Sequence, residues 1–179
     1  MISGSVARRY ARALLAIGKD QQKDDVIAVE LERLAQVYER SHDLQDALRN
    51  PVFSASQRQG VLDGITARLG LSKITQDTAR LLLSRGRIPA LPGIARALRE
   101  LVDEQAGRVR ARLISAKPID KATEVRIRAA LGRGTGKSVV LETTEDPSLI
   151  AGIVAQVGDV VYDGSLAAQI QALRGRWSN

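Results

Sequence analysis

Cysteine is absent from the 179-residue chain, which excludes a disulfide framework and any thiolate metal site. Histidine occurs once, at His42 beside an expected helix end, so zinc sites and histidine general-base schemes lack their usual residues. Aromatic residues make up only 3% of the chain: one Phe, one Trp and three Tyr. Sequence-tolerant binding to single-stranded nucleic acid usually relies on aromatic stacking platforms, and few are available here. No apolar run approaches the roughly 20 residues needed to span a bilayer. These absences predict a soluble protein without metal, cofactor or catalytic centre.

What the chain does have is length enough for one large domain or two small ones, and a net charge of +7. That charge is unevenly placed. Residues 1–104 hold 16 basic and 13 acidic side chains, whereas Arg108 to Lys137 holds nine basic and two acidic. From Ser138 to Leu173 there are five acidic residues and no basic ones. A basic block followed by an acidic block can be balanced internally or by a partner, which weakens the case for an anionic ligand.

The first 105 residues carry helical periodicity. Over residues 3–19, Val6, Tyr10, Ala13, Leu14 and Ile17 recur at helical spacing, predicting a core-facing stripe. Beside it runs a second stripe of small residues, Gly4, Ala7, Ala11 and Gly18, which core packing explains most simply and which would also admit another helix closely. An organelle transit peptide shares the basic, acid-free character of Met1 to Leu15, but the periodicity continues through Ile17 and favours an ordinary first helix. Further stripes follow at Ile27, Leu31, Leu34 and Tyr38, then at Leu44 and Leu48. Proline at 51 ends that short helix, because the residue before proline leaves helical geometry. Ser54 or Ser56 can cap a fourth helix carrying Val61, Leu62, Ile65 and Leu69. A fifth spans 74–85, stopped by Gly86, and a sixth begins near Pro89 and Pro92. Six short amphipathic helices with brief connections predict an antiparallel bundle.

The pattern changes at Gly107. Arg108 to Leu113 alternates charged and apolar, the period of a strand with one wet face. Asp120 caps a helix, Val139 to Thr143 forms a strand, and Ile150 to Val157 and Val160 to Tyr162 form two more around Gly158-Asp159. A last helix begins at Ser165, with Leu166, Ile170, Leu173 and Trp177 on one stripe. The expected fold is therefore mainly α: a six-helix N-terminal bundle over 1–105, then a small α+β domain over 106–179.

Two motifs suggest chemistry and fail on inspection. Gly132-Arg133-Gly134-Thr135-Gly136-Lys137-Ser138 looks like a phosphate-binding loop, but Leu131 stands where its first glycine is required. It also leaves a helix and enters a strand, the reverse of the required order, and is expected to be a flexible basic connection. Arginines 108, 110 and 112 share a strand face, the feature that most favours the alternative of a basic nucleic-acid-binding module. No Gly-x-x-Gly clamp accompanies them. Asp146, Asp159 and Asp163 sit at turn positions, where aspartate bonds nearby backbone amides, and do not form an acid–base pair.

The most informative stretch is Asp146 to Asp159 with Val160-Val161-Tyr162-Asp163-Gly164-Ser165. Together with Val6-Ala7-Arg8-Arg9-Tyr10-Ala11-Arg12-Ala13-Leu14 and Gly86-Arg87-Ile88-Pro89-Ala90-Leu91-Pro92, it resembles the delta subunit of bacterial F-type ATP synthase. The mitochondrial member of that family is the oligomycin-sensitivity-conferring protein. The resemblance covers essentially the whole chain. It implies a non-catalytic stator subunit of the peripheral stalk, held at the cytoplasmic side of a bacterial inner membrane only through its complex. It further implies that the first and fifth helices form a groove for the N-terminal helix of an alpha subunit, with Ala7, Tyr10, Ala11 and Leu14 facing Thr78, Leu81 and Leu82. On that basis Ala11→Arg should block the partner and leave the bundle folded. The C-terminal domain would meet b-type stalk subunits through the segment containing Ile153, Gly158, Asp163 and Gly164. The chain departs from its relatives after Ser165, where Leu166-Ala167-Ala168-Gln169 replaces a stretch usually bearing arginines, and at Gln156, often basic elsewhere.

Overall fold

The structure, a computed structural model, describes residues 4–146, 149, 153–157 and 160–163. By its internal contacts the chain divides into two compact units, Met1–Val102 and Asp103–Asn179.

The first unit is helical. Its elements are α1 (Gly4–Asp20), α2 (Asp24–Arg40), α3 (His42–Arg49), α4 (Ala55–Arg68), α5 (Lys73–Ser84), a 3-10 turn at Ile88–Ala90 and α6 (Leu91–Gln105), whose residues from Asp103 on belong to the second unit. Local chemistry sets most of the ends. Ser41 accepts from the Leu44 amide at 3.2 Å to start α3, and Asn50 before Pro51 ends it in extended geometry. Ser54, rather than Ser56, begins α4 through a full capping box with Gln57. Pro89 lies in the first turn of the 3-10 segment. Helix α2 buries Ile27, Leu31 and Leu34 in one core cluster with Leu82, Ile94 and Leu98.

Two polar anchors join distant parts of this core. The Glu30 carboxylate of α2 is buried and accepts from the Ser72 amide at 3.0 Å, the Ser72 hydroxyl at 2.6 Å and the Thr75 hydroxyl at 2.6 Å. It thereby holds the N-cap residue of α5 and the first-turn Thr75 hydroxyl, although the Ser72 side chain itself caps no amide of the helix. Buried Arg99 of α6 grips Glu32 of α2 through two bonds of 2.9 and 2.8 Å, with Asp25 at 3.4 Å.

The second unit contains β1 (Arg108–Ser115), α7 (Lys121–Thr135), β2 (Ser138–Glu145), β3 (Ile153–Val157) and β4 (Val160–Asp163). The sheet order is β2-β1-β3-β4. Strands β1 and β2 pair in parallel, from Arg108 opposite Ser138 to Ser115 opposite Glu145, so α7 is a crossover between them. Strand β3 runs antiparallel to β1, Leu113 facing Ala155, and β4 antiparallel to β3. Ala111, Leu113, Val139, Ala155 and Val157 form the buried face. Asp120 caps α7 as expected, accepting from the Thr123 amide at 2.6 Å.

The expected loop at Gly132–Ser138 requires correction. Helix α7 continues to Thr135, and only Gly136 and Lys137 separate it from β2. The Gly136 amide donates to the Gly132 carbonyl at 2.9 Å, closing a helix end that periodicity alone does not assign. The strand expected from Ile150 is described from Ile153 onward. The Gly158-Asp159 turn and the helix expected from Ser165 lie outside the described residues.

Candidate partner-binding surface

Helix α1 buries Leu14 of the first expected stripe together with Ala11 and Gly18 of the small one, so the small stripe serves core packing while the rest of the first stripe turns toward solvent. The small stripe faces inward apart from Gly4, which is exposed. Ala11 has no exposed surface, Gly18 is buried, and a Cβ added at Gly18 would lie 2.8 Å from the Asp24 Cα. Ala7 is half-buried and meets the start of α6, where a Cβ added at Gly93 would stand 3.6 Å from its own. Small side chains are used here to bring the bundle's own backbones together. The stripe of Val6, Tyr10, Ala13 and Ile17 is displaced toward solvent: Val6 and Tyr10 are half-buried, Ala13 is exposed, and Ile17 is 43% exposed. The opposite side of the helix carries Arg8, Arg12 and Lys19, all exposed.

Helix α5 shows the same division. Thr75, Ala79, Leu82 and Leu83 face the core, whereas Leu81 is 45% exposed and Ile74 half-buried. Thr78 is buried, and its hydroxyl bonds back to the Ile74 carbonyl at 2.7 Å. A direct tie connects the end of α5 to the middle of α1: Arg87, just past α5, donates to the Tyr10 hydroxyl at 3.0 Å.

Of the seven groove residues expected from the sequence, Ala7, Tyr10 and Leu81 reach the surface. Ala11, Leu14, Thr78 and Leu82 are buried and support that surface from behind. The Ala11→Arg expectation is therefore corrected, since an arginine there would enter the core rather than leave the bundle folded. Val6, Ala13, Ile17 and Ile74 take the outward places. Periodicity found these positions but assigned them to the core, because any two neighbouring apolar stripes look alike before a neighbour is placed. Arg87 carries no periodic or motif signal of this contact, because Tyr10 is 77 residues away.

In the second unit, Ile153 is half-buried and pairs with Ser115 at the start of β3. Asp163 closes β4 opposite Val154. Gly158 and Gly164 lie outside the described residues. The strand arginines are largely engaged. Arg110 donates to Asp103 at 2.6 Å and to Glu142 on the adjacent strand, and Arg108 lies 3.2 Å from Asp103. Only Arg112 of the three is fully exposed.

Chemically reactive groupings are scarce. Among the described residues, no three His, Asp or Glu side chains converge on a metal position. His42 is exposed and lies 3.3 Å from Asp46 within its own helix. The carboxyl of Asp120 is held below the ordinary aspartate pKa by the Thr123 amide and hydroxyl, a capping effect. Burial raises the pKa of the Tyr38 hydroxyl. Among the described residues, no helix is long and apolar enough to cross a membrane.

Comparison with known proteins gives these surfaces a context. The family described as ATP synthase delta (OSCP) subunit matches residues 6–176. The ATP synthase subunit delta of Desulfatibacillum aliphaticivorans is 41% identical, over 94% of this chain and 92% of that protein. That of Anaeromyxobacter dehalogenans (strain 2CP-C) is 40% identical over 97% of both. A chain in the cryo-EM structure of the Toxoplasma gondii mitochondrial ATP synthase hexamer shares the fold at a TM-score of 0.68 and 19% identity, over 97% of both chains. The length of these matches and the two-unit architecture agree: the chain belongs to the ATP synthase delta (OSCP) subunit family.

Proposed function

We propose that this protein is a non-catalytic peripheral-stalk subunit of an F-type ATP synthase, joining the catalytic head to the stalk at the cytoplasmic face of a bacterial inner membrane. The observation that carries the site assignment is the outward apolar flank of α1. Val6 and Tyr10, half-buried, and Ala13 and Ile17, exposed, recur at helical spacing, and half-buried Ile74 with exposed Leu81 offers a comparable flank on α5. An amphipathic helix laid in a groove between such flanks buries anchors at i, i+3 or i+4, and i+7. The occupant fitting the family is the N-terminal helix of the alpha subunit. Residues 1–105 thus act as the head-binding domain. Residues 106–179 act as the stalk-binding domain, meeting b-type subunits through the stretch holding Ile153, Gly158, Asp163 and Gly164.

The physical demand on such a joint is slow release. Each elementary charge crossing the membrane yields roughly 2.3 kcal/mol per 100 mV, and torque derived from it returns through the stator. Related interfaces differ mainly in dissociation rate, so a well-packed apolar contact suits the load. Nucleic-acid binding has less support, because Arg108 and Arg110 are occupied by Asp103 and Glu142. The test is titration of the purified chain with a peptide of the cognate alpha subunit's N-terminal helix. Saturable binding that survives raised salt is expected, and absence of binding would refute the assignment.

A further inference from the structure

Arg87 owes its position to the way α5 ends. Gly86 has φ of +64°, a conformation that disfavours a side chain by about 1–2 kcal/mol. Its amide donates to the Leu83 carbonyl at 3.0 Å, and the Arg87 amide donates to the Leu82 carbonyl at 2.7 Å. These two bonds make a Schellman termination, which fixes the direction in which the chain leaves the helix. Ile88 is buried immediately afterwards, so the backbone is held on both sides of Arg87.

The side chain is exposed, yet it reaches across 77 residues of sequence to Tyr10. One guanidinium nitrogen donates to the hydroxyl at 3.0 Å, and the guanidinium carbon lies 5.8 Å from the ring centroid. Among the described residues no carboxylate pairs with Arg87, so it does not complete an internal ion pair. An exposed hydrogen bond contributes little to folding stability. Its geometric effect is larger, because Tyr10 stands within the outward flank of α1, between Val6 and Ala13, and its ring has two rotatable bonds.

We infer that Arg87 is a positioning residue of the partner groove, locking the Tyr10 ring in one setting where the α1 flank meets the end of α5. The inference rests on the α1–α5 site described under the proposed function. Binding an incoming helix orders flexible side chains at a cost in affinity, and a ring already fixed avoids that cost. Arg87 thus acts on the partner through Tyr10.

The experiment titrates the full chain with the alpha-subunit N-terminal peptide by calorimetry, alongside thermal unfolding. Arg87→Ala, Tyr10→Phe and the double substitution are compared with the native chain. Each single change is expected to raise Kd by up to about tenfold, the scale of ordering one side chain on binding. The double change should be no weaker than either single one, since both remove the same contact. Melting temperatures should stay close to that of the native chain. Native-strength binding by Arg87→Ala, multiplying losses in the double variant, or a parallel drop in melting temperature would each overturn the inference. If the unaltered chain fails to bind the peptide, the α1–α5 site itself falls.

Discussion

Two alanines two residues apart on α1 should respond oppositely to the same substitution. Ala11 has no exposed surface and Ala13 is exposed. Arginine at 11 must place a charge among Leu14, Leu15 and the apolar residues of the first unit's core. An uncompensated buried charge costs roughly 3–5 kcal/mol. Overpacking a filled site adds about 1–3 kcal/mol. Their sum approaches the whole stability of an ordinary domain, roughly 5–15 kcal/mol. For a unit of this size each 1 kcal/mol shifts the melting temperature by about 4–8 °C, so Ala11→Arg should be largely unfolded or melt far lower. Arginine at 13 extends into solvent, and surface changes of that kind stay within about 0.5 kcal/mol. Its cost falls on the partner, because a charge would stand in the proposed apolar groove. Far-UV circular dichroism on heating, with peptide titration of the folded variant, separates the two outcomes. A native-like melt for Ala11→Arg would refute the assignment of faces on α1. Undiminished peptide binding by Ala13→Arg would refute the placement of the groove.

Other consequences are equally direct. Gly18→Ala sets a Cβ 2.8 Å from the Asp24 Cα, and forcing α1 and α2 apart should lower stability by about 1–3 kcal/mol, measurable by urea denaturation. Glu30→Ala orphans the donors of Ser72 and Thr75, each buried unmet group costing about 1–3 kcal/mol, and amide exchange at the start of α5 should accelerate. The folded pKa of Asp120 is depressed, so its stabilising effect on α7 is complete above the ordinary aspartate value of about 3.9. That effect fades as pH falls through the lowered folded value, so Thr123 amide protection should weaken there, and Asp120→Ala should remove this acid dependence. If the protection stays flat through that range, the cap does not stabilise the helix end.

Ends and periods were legible in the sequence because they depend on neighbours a few residues away. Ser54 with Gln57, Asp120 with Thr123, Asn50 before Pro51 and Gly86 after α5 each act within a single turn. The alternation at Arg108–Leu113 likewise marks β1 without knowledge of its partners. Recognition of the family also came from short contiguous motifs. Tertiary structure alone decided which apolar stripe of α1 faces inward, since the answer depends on how closely Asp24 and Gly93 approach it. It alone supplied the Glu30 contact to Ser72, 42 residues away, the Arg87–Tyr10 tie and the strand order β2-β1-β3-β4. Those features join residues far apart in the chain, and local propensity carries no information about contacts made only when distant segments meet.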